Sequence, residues 1–233
     1  MCLGYLKSTQ QRIHGLTVGE LNLLDSLPQP KRQPRKGVAT QADRNVACRF
    51  GKEYFDGPRA QGYGGYVYDG RWKPVARRLK EHYGLGESAS ILDIGCAKGF
   101  LLHDLNELLP RATLAGLDIS EYAILNAMER VRAFLRIGNA KELPWPDHSF
   151  DLVLAINTIH NLELPECKQA LREIQRVSRK HAYVVVDAYR TEEERQRLLD
   201  WILTAKTFMH VEEWKQVFKE VGYMGDYYWF ILE

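Results

Sequence analysis

The sequence predicts an α/β fold, a doubly wound and mostly parallel sheet with helices on both faces, preceded by an N-terminal extension. Three observations carry that reading. From Ser88 onward, short runs rich in β-branched residues alternate with segments of helical period, the pattern of repeated β-α units. A glycine-rich turn, Gly95 to Gly99, joins the first run to the helix after it. Polar and acidic residues (Asp93, Asp118, Asn139, Asn157) fall at or near the ends of successive runs, and open α/β sheets bind ligands at the carboxyl ends of their strands.

Taken in order, strands are expected over residues 90–94, 113–118, 133–137, 150–156, 182–187 and 227–232. Helices are expected over 74–83, 99–109, 120–132, 164–179, 191–205 and 211–221. Several carry start signals: Pro74 in a first turn, Ser120 as an N-cap before Glu121, and Thr191 before three glutamates at the positive helix end. Trp214 and Phe218, four apart on one helix face, read as core. Upstream, residues 17–27 suit a short helix. Residues 28–44 are rich in Pro, Gln, Lys and Arg with almost nothing large and apolar to bury, so residues 1–45 read as a basic, flexible arm. Residues 46–72 form a Tyr/Gly-rich lid segment, and 73–233 the ligand-binding domain.

Composition narrows the function classes. The 233 residues are 45% apolar, enough for a sizeable core. Lys+Arg 32 against Asp+Glu 30 leaves a formal charge of +2, so no whole-chain field announces nucleic acid or an anionic membrane. No run reaches the 18 or so apolar residues that span a bilayer, and the N-terminus lacks a signal-peptide core, so a cytoplasmic protein without membrane contact is expected. The four cysteines form no C-x-x-C pair, which suggests reduced thiols and no metal site.

The segment Ile91 to Phe100, ILDIGCAKGF, is the most informative. Its small residues let the backbone turn sharply and bring N–H groups against a ligand at a helix N-terminus. A dinucleotide fingerprint would need glycine where the chain has Phe100, which disfavours NAD, and no G-K-[ST] follows to make a P-loop. Asp118, about 20 residues past the turn, is placed to accept hydrogen bonds from both hydroxyls of an adenosine ribose. Gly138, Asn139 and Ala140 follow the third strand, where an amide can meet an adenine edge.

From Trp72 to about Arg190 the chain resembles the class I S-adenosylmethionine-dependent methyltransferases related to the ubiquinone-biosynthesis enzymes. The resemblance rests on LDIGCAKG, GLDIS, GNAKELPWPDHSFDLVLAINTIHNL and LREIQRVSRKHAYVVVDAY, four motifs in order at the family's separations. It implies a Rossmann-like methyltransferase sheet and S-adenosyl-L-methionine as cofactor. It further implies that Gly95, Cys96, Ala97 and Gly99 pack against the methionine part and that Asp93 orders the turn. Asp118 would bind ribose, Ile119 would pack on adenine, Asn139 and Ala140 would meet the adenine edge, and Asn157 would shape the pocket. Two positions depart from the family pattern. Ala97 replaces the middle glycine of G-x-G-x-G, which the loop tolerates only outside the Gly-only backbone region. Asn139 stands where many relatives have Asp. Relatives also end in two antiparallel strands, and only one candidate strand follows Val221.

For the chemistry, His160 beyond the fourth strand suits a general base at neutral pH, with Tyr66 of the lid as a second catalytic candidate. Tyr63, Tyr68, Arg71 and Asn161 are candidate acceptor contacts, because rigid amphipathic rings on a Gly-rich backbone suit a loop that folds over a ligand. The expected activity is methyl transfer to an oxygen or nitrogen of a small-molecule acceptor, by a monomer or homodimer. Two alternatives stand beside it. One is an RNA or protein methyltransferase whose arm residues Lys31, Arg32, Arg35 and Lys36 meet phosphate, nucleic acid being the less favoured partner. The other is a non-catalytic S-adenosylmethionine-binding subunit.

Overall fold

The computed structural model describes residues 11–13, 16–27 and 37–232. Its centre is a seven-stranded sheet, and the pairings that build it are all parallel. After a short antiparallel pair, β1 (Gln11–Ile13) and β2 (Leu16–Val18), come α1 (Gln41–Ala47), α2 (Lys52–Asp56) and α3 (Lys73–Tyr83). The sheet begins with β3 (Ser90–Ile94), followed by α4 (Phe100–Leu108), β4 (Thr113–Asp118), α5 (Glu121–Leu125), α6 (Glu129–Arg132) and β5 (Leu135–Ile137). Then follow β6 (Phe150–Ile156), α7 (Leu164–Val177), β7 (Ser178–Tyr189), α8 (Glu192–Trp201), β8 (Met209–His210), α9 (Val211–Val221) and β9 (Asp226–Phe230). The order is β5-β4-β3-β6-β7, with β8 and β9 both pairing along the far side of β7. The order reverses at β3, between β4 and β6, and such a switch point opens a crevice outside the strand ends.

Alternation along the buried strands divides the core in two. Val153 and Ala155 of β6 face a layer made by α7 and α9, with Leu171, Ile174, Trp214 and Phe218 fully or nearly fully buried. Leu152 and Leu154 face the opposite layer of α3, α4 and α6, through Val75, Leu79, Leu102, Leu105 and Val131. A period of two in the strands, with both faces covered, is what a doubly wound sheet requires. Trp214 and Phe218 are core, as their spacing indicates. The caps also form: Ser120 Oγ accepts the Ala123 N–H at 3.0 Å, and Thr191 with Glu194 completes a capping box.

Several expected boundaries move. The helix expected over 120–132 divides into α5 and α6, because Asn126 closes the first while Met128 donates its N–H to the Lys98 carbonyl of the glycine turn. The strand expected from 133 starts at Leu135 in consequence. The helix expected to reach residue 205 stops at Trp201, where Ile202 turns extended and residues 202–208 run back toward β6. Lys206 and Thr207 there donate N–H groups to the His160 carbonyl, each at 2.9 Å. β8 has no separate signal in the sequence. β8 and β9 both run parallel to β7, in place of the expected antiparallel pair, and the outer edge of β9 is met by the chain's own N-terminal side.

That edge corrects the expectation of a single flexible arm over residues 1–45. Residues 19–21 lie along β9, with Leu21 N–H bonded to the Tyr227 carbonyl at 2.8 Å and Tyr227 N–H to the Gly19 carbonyl at 3.1 Å. Leu23 is fully buried against α3, and its N–H reaches the Tyr183 hydroxyl. Burial of one leucine contributes about 1.5–3 kcal/mol, enough to fix so short a segment. The helix expected over 17–27 is therefore absent: the segment is held by the sheet edge. Residues 40–45 also depart from the arm, since Thr40 caps α1 and Arg44 donates to the Ile202 and Leu199 carbonyls. The cations Lys31, Arg32, Arg35 and Lys36 lie outside the described residues.

Candidate functional site

The glycine turn shows why its residues are small. Gly95 sits at φ +78°, and a Cβ there would lie 2.0 Å from Thr158 Oγ1, so only glycine lets β3 and the loop after β6 approach this closely. Ala97 adopts φ +49°, the left-handed region open to L-residues at a cost of about 1 kcal/mol. It thus avoids the Gly-only region, and its N–H is fixed by Asp118 Oδ2 at 2.8 Å. Gly99, at φ +72°, precedes α4 and packs beside Val131.

Asp118 at the end of β4 organises this turn. Its Oδ2 holds Ala97 and its Oδ1 accepts the Ser120 N–H at 2.8 Å. Accepting capacity beyond the backbone donors at Ala97, Ser120 and Ile119 is left for a ligand. Burial raises its pKa, and the backbone N–H donors oppose that rise. The ordering role expected for Asp93 is therefore taken by Asp118. Asp93 makes no side-chain hydrogen bond among the described residues and is buried beside the Asp118 charge. Burial first, then that charge, push its carboxyl up to about 7.

At the carboxyl ends of β3, β4, β5 and β6 lies a cavity of about 370 Å³. Its floor comes from the sheet: Gly95, Ala97, Asp118, Ile119, Asn139, Ala140, Asn157 and Asn161 all line it. Ile119 is 53% exposed, so its apolar side chain faces open space. Asn139 Oδ1 accepts the Lys141 N–H, which shapes the loop after β5. Asn157 takes φ +52°, a conformation asparagine tolerates better than most residues.

The roof comes from the segment before α3. Cys48, Arg49, Phe50, Tyr54, Phe55 and Tyr63 line the cavity from above, and Thr204 and Lys206 close one side. A part-buried ion pair ties this roof to the glycine turn. Lys98 Nζ reaches Asp56 Oδ1 and Oδ2 at 2.8 and 2.6 Å, and the Tyr122 hydroxyl and Tyr66 N–H bond the same carboxylate. Burial alone would raise the Asp56 pKa, but these donors outweigh it and lower it. Ser120 Oγ donates to the Phe50 carbonyl at 2.5 Å, and Arg59 lies over the Trp201 ring at 5.2 Å. The Tyr54 phenol is partly buried, and its pKa is raised well above normal by burial and by neighbouring Tyr63.

Some expected site residues lie elsewhere. His160 is 5% exposed and outside the cavity lining. Its Nδ1 accepts the Asp187 N–H at 3.0 Å while its carbonyl anchors residues 206 and 207. Burial lowers its pKa, the Asp187 charge opposing, so the ring is a neutral strut between β6, β7 and the 202–208 loop. This corrects its assignment as a base. Tyr66 stacks on Phe100 at 4.7 Å, Tyr68 donates its hydroxyl to Asp104, and Arg71 pairs with Asp69, all away from the cavity. Cys96 is buried behind the turn, and burial pushes its thiol pKa far above the usual range. Phe50, Tyr54, Thr158, Thr204, Lys206 and the Lys98–Asp56 pair were missed. Lys98, inside the glycine motif, carried a signal; Thr204 and Lys206 carried none, because only tertiary folding brings them here. Among the described residues no helix is long and apolar enough to cross a membrane.

Comparison with known proteins agrees with this architecture. The family described as "Methyltransferase domain" matches residues 85–225. A demethylmenaquinone methyltransferase of Lactiplantibacillus plantarum is 36% identical over 109 residues, covering 43% of this chain and 45% of that protein. One of Symbiobacterium thermophilum is 33% identical over 118 residues, covering 46% and 45%. The chain thus spans about half the length of the curated relatives it matches. Among solved structures, a putative methyltransferase from an antibiotic biosynthesis pathway of Anabaena variabilis superposes with a TM-score of 0.50 at 19% identity, covering 63% of this chain and 60% of that one. The cyclase SpnF superposes with the same TM-score of 0.50 at 21% identity, covering 64% and 56%, and at this level the likeness is one of fold. With its matched segment spanning β3 to α9 and its cavity at the strand ends, the chain belongs to the methyltransferase-domain family, the class I fold that uses S-adenosylmethionine.

Proposed function

We propose that this protein transfers a methyl group from S-adenosylmethionine to an oxygen or nitrogen of a small-molecule acceptor, in the cavity between the sheet and the roof. The observation that carries the reading is Asp118: a buried carboxylate that fixes the Ala97 and Ser120 N–H groups and keeps accepting capacity for a pair of ribose hydroxyls. The residues present fit the cofactor. Ile119 offers an apolar face for adenine, Asn139 and Ala140 edge the same end, and the turn from Gly95 to Ala97 brings backbone close enough for the methionine part.

When bound, the cofactor supplies a methyl group on a sulfonium that an acceptor lone pair can displace in line. The chain's own contribution is alignment and exclusion of water. Phe50, Tyr54, Phe55 and Tyr63 cover the cavity, and the Lys98–Asp56 pair holds that cover against the glycine turn. The small-molecule reading is supported by this enclosed volume and by the relatives named for a small-molecule substrate, demethylmenaquinone.

Titration calorimetry with S-adenosylhomocysteine tests the proposal. Binding is expected for the wild type, with a loss of about 50-fold or more in Asp118→Ala, which removes the ribose acceptor and strands two N–H groups. Unchanged affinity in that variant refutes the placement of the cofactor, and absence of heat with the wild type refutes the function.

A further inference from the structure

The cavity lining carries a charge pattern of its own. Its lining holds three cations, Arg49, Lys141 and Lys206, and two carboxylates, Asp118 and Glu166. Lys141 is neutralised by Glu166, 2.5 Å away. Lys206 has only Glu163, 3.7 Å away and itself 64% exposed, a separation at which a solvent-facing pair contributes little. Arg49 makes no side-chain hydrogen bond or ion pair among the described residues. The lining therefore presents excess positive charge before any cofactor arrives.

The same region holds polar groups without partners. The Asn161 side chain has no hydrogen bond among the described residues, and its Oδ1 is fully buried. Asn157, at the end of β6, likewise has no side-chain partner there. A buried amide oxygen left unbonded costs about 1–3 kcal/mol, so Asn161 Oδ1 is suited to meet a hydrogen-bond donor of a ligand, while Asn157 is exposed to solvent.

Among the described residues the two carboxylates of the lining are both already engaged by donors. His160 is outside the lining, Asp118 is engaged with two backbone donors, and Glu166 is bonded to Lys141, whose ammonium lowers its pKa and so weakens it as a base. The Cys48 thiol is turned to the Leu203 carbonyl. A neutral alcohol or an ammonium would have to lose a proton before or during transfer. An acceptor that is already an anion would not.

We propose that the acceptor is a carboxylate, held by Arg49 and Lys206, and that methyl transfer to its oxygen proceeds without a catalytic base. The proposal rests on the methyltransferase reading above. A lone pair of the carboxylate oxygen forms the new O–C bond as the C–S bond breaks, its electron pair remaining on sulfur. The products are a methyl ester and the neutral thioether, and no proton is released. Arg49 and Lys206 are binding residues in this scheme, Arg49 through a bidentate fork that matches a carboxylate.

The test uses the full chain with methyl-labelled S-adenosylmethionine and a panel of aromatic and aliphatic carboxylates, each beside its matching alcohol and amine. Label is expected on carboxylates only, in a form that alkali releases as volatile methanol. Arg49→Gln and Lys206→Met should each raise the KM of the best carboxylate at least tenfold with kcat within threefold, and Arg49→Lys should restore part of the loss. Calorimetry of that carboxylate against the S-adenosylhomocysteine complex should show the same weakening without turnover. Alkali-stable label, indifference of KM and affinity to both substitutions, or rejection of every carboxylate by a chain that binds S-adenosylhomocysteine overturns the proposal. Failure to bind S-adenosylhomocysteine instead overturns the methyltransferase reading beneath it.

Discussion

The floor and the roof of the cavity are built on different principles. The floor consists of strand ends whose positions follow from the parallel ladder: Ile94, Asp118 and Ile156 end neighbouring strands locked in register by backbone hydrogen bonds. The roof, residues 48–63, belongs to no sheet. It is held by side chains, chiefly the Lys98–Asp56 pair, the Ser120 bond to the Phe50 carbonyl, and a cluster of Phe55 with Tyr54, Tyr63, Tyr66 and Tyr122 around Ala97 and Ala123. Backbone ladders fail cooperatively with the whole domain, whereas a cover held by a few side chains opens locally at lower cost. A ligand enclosed on both sides needs that asymmetry to enter.

The largest effect that would break the floor is expected from Gly95→Ala. The added Cβ meets Thr158 Oγ1, Cγ2 and Cβ at 2.0 to 2.7 Å, and the residue must also hold a positive φ. A loss of about 4 kcal/mol in unfolding free energy is expected in urea titration, with S-adenosylhomocysteine binding abolished. A stable, binding-competent variant would show that the β3 turn and the β6 loop are not in contact.

The roof is addressed by Asp56→Ala, which leaves the buried Lys98 ammonium without its counter-charge, bonded only to the Tyr66 carbonyl. Removing one member of such a pair costs about 3 kcal/mol. Here the cost should appear as local opening: limited proteolysis should cleave within residues 48–66 at least tenfold faster while the global urea midpoint moves much less. If midpoint and cleavage shift together, roof and floor form one cooperative unit.

A pH experiment sharpens the description of the floor. The folded Asp93 pKa of about 7 lies above the ordinary carboxylate value, so the folded state binds more protons than the unfolded state between about pH 4 and pH 7. This residue therefore makes stability fall as pH rises through that window. Asp93→Asn should flatten that part of the profile and gain about 2 kcal/mol at pH 8. A profile unchanged by the substitution would show that the carboxyl is solvated.

The smallest effect is expected from Ala97→Gly. It relieves the left-handed alanine but adds freedom to the unfolded chain, for a net gain of up to about 1 kcal/mol, or a rise in Tm of 2–4 °C for a domain of this size. A fall in Tm would mean that the alanine methyl packs in the cluster with Phe55 and Ala123 more strongly than its backbone strains.

How much could be read in advance follows the same division. Gly95, Ala97, Asp118, Ile119, Asn139 and Asn157 were legible because strand, turn and helix are contiguous in sequence, and the parallel sheet sends each strand's end to the same side. The caps at Ser120 and Thr191 were legible because their partners lie three residues away. His160 was misread: a histidine after a strand looks the same in sequence whether it faces a cavity or, as here, accepts the Asp187 N–H in the core. Tyr66, Tyr68 and Arg71 share the lid's composition with Tyr54 and Tyr63, and only packing decided which rings face the cavity.

By itself, then, the sequence determined the alternating α/β plan, the glycine turn and the place of Asp118 at the end of the next strand, since local periodicity and short-range spacing specify these. Tertiary structure alone decided three things: that residues 19–21 complete the sheet edge beside β9, that Asp56 meets Lys98 across 42 positions, and that Thr204 and Lys206 close the cavity against Tyr54. Each joins segments far apart in the chain. Their contact depends on how the intervening layers pack, which no local pattern encodes.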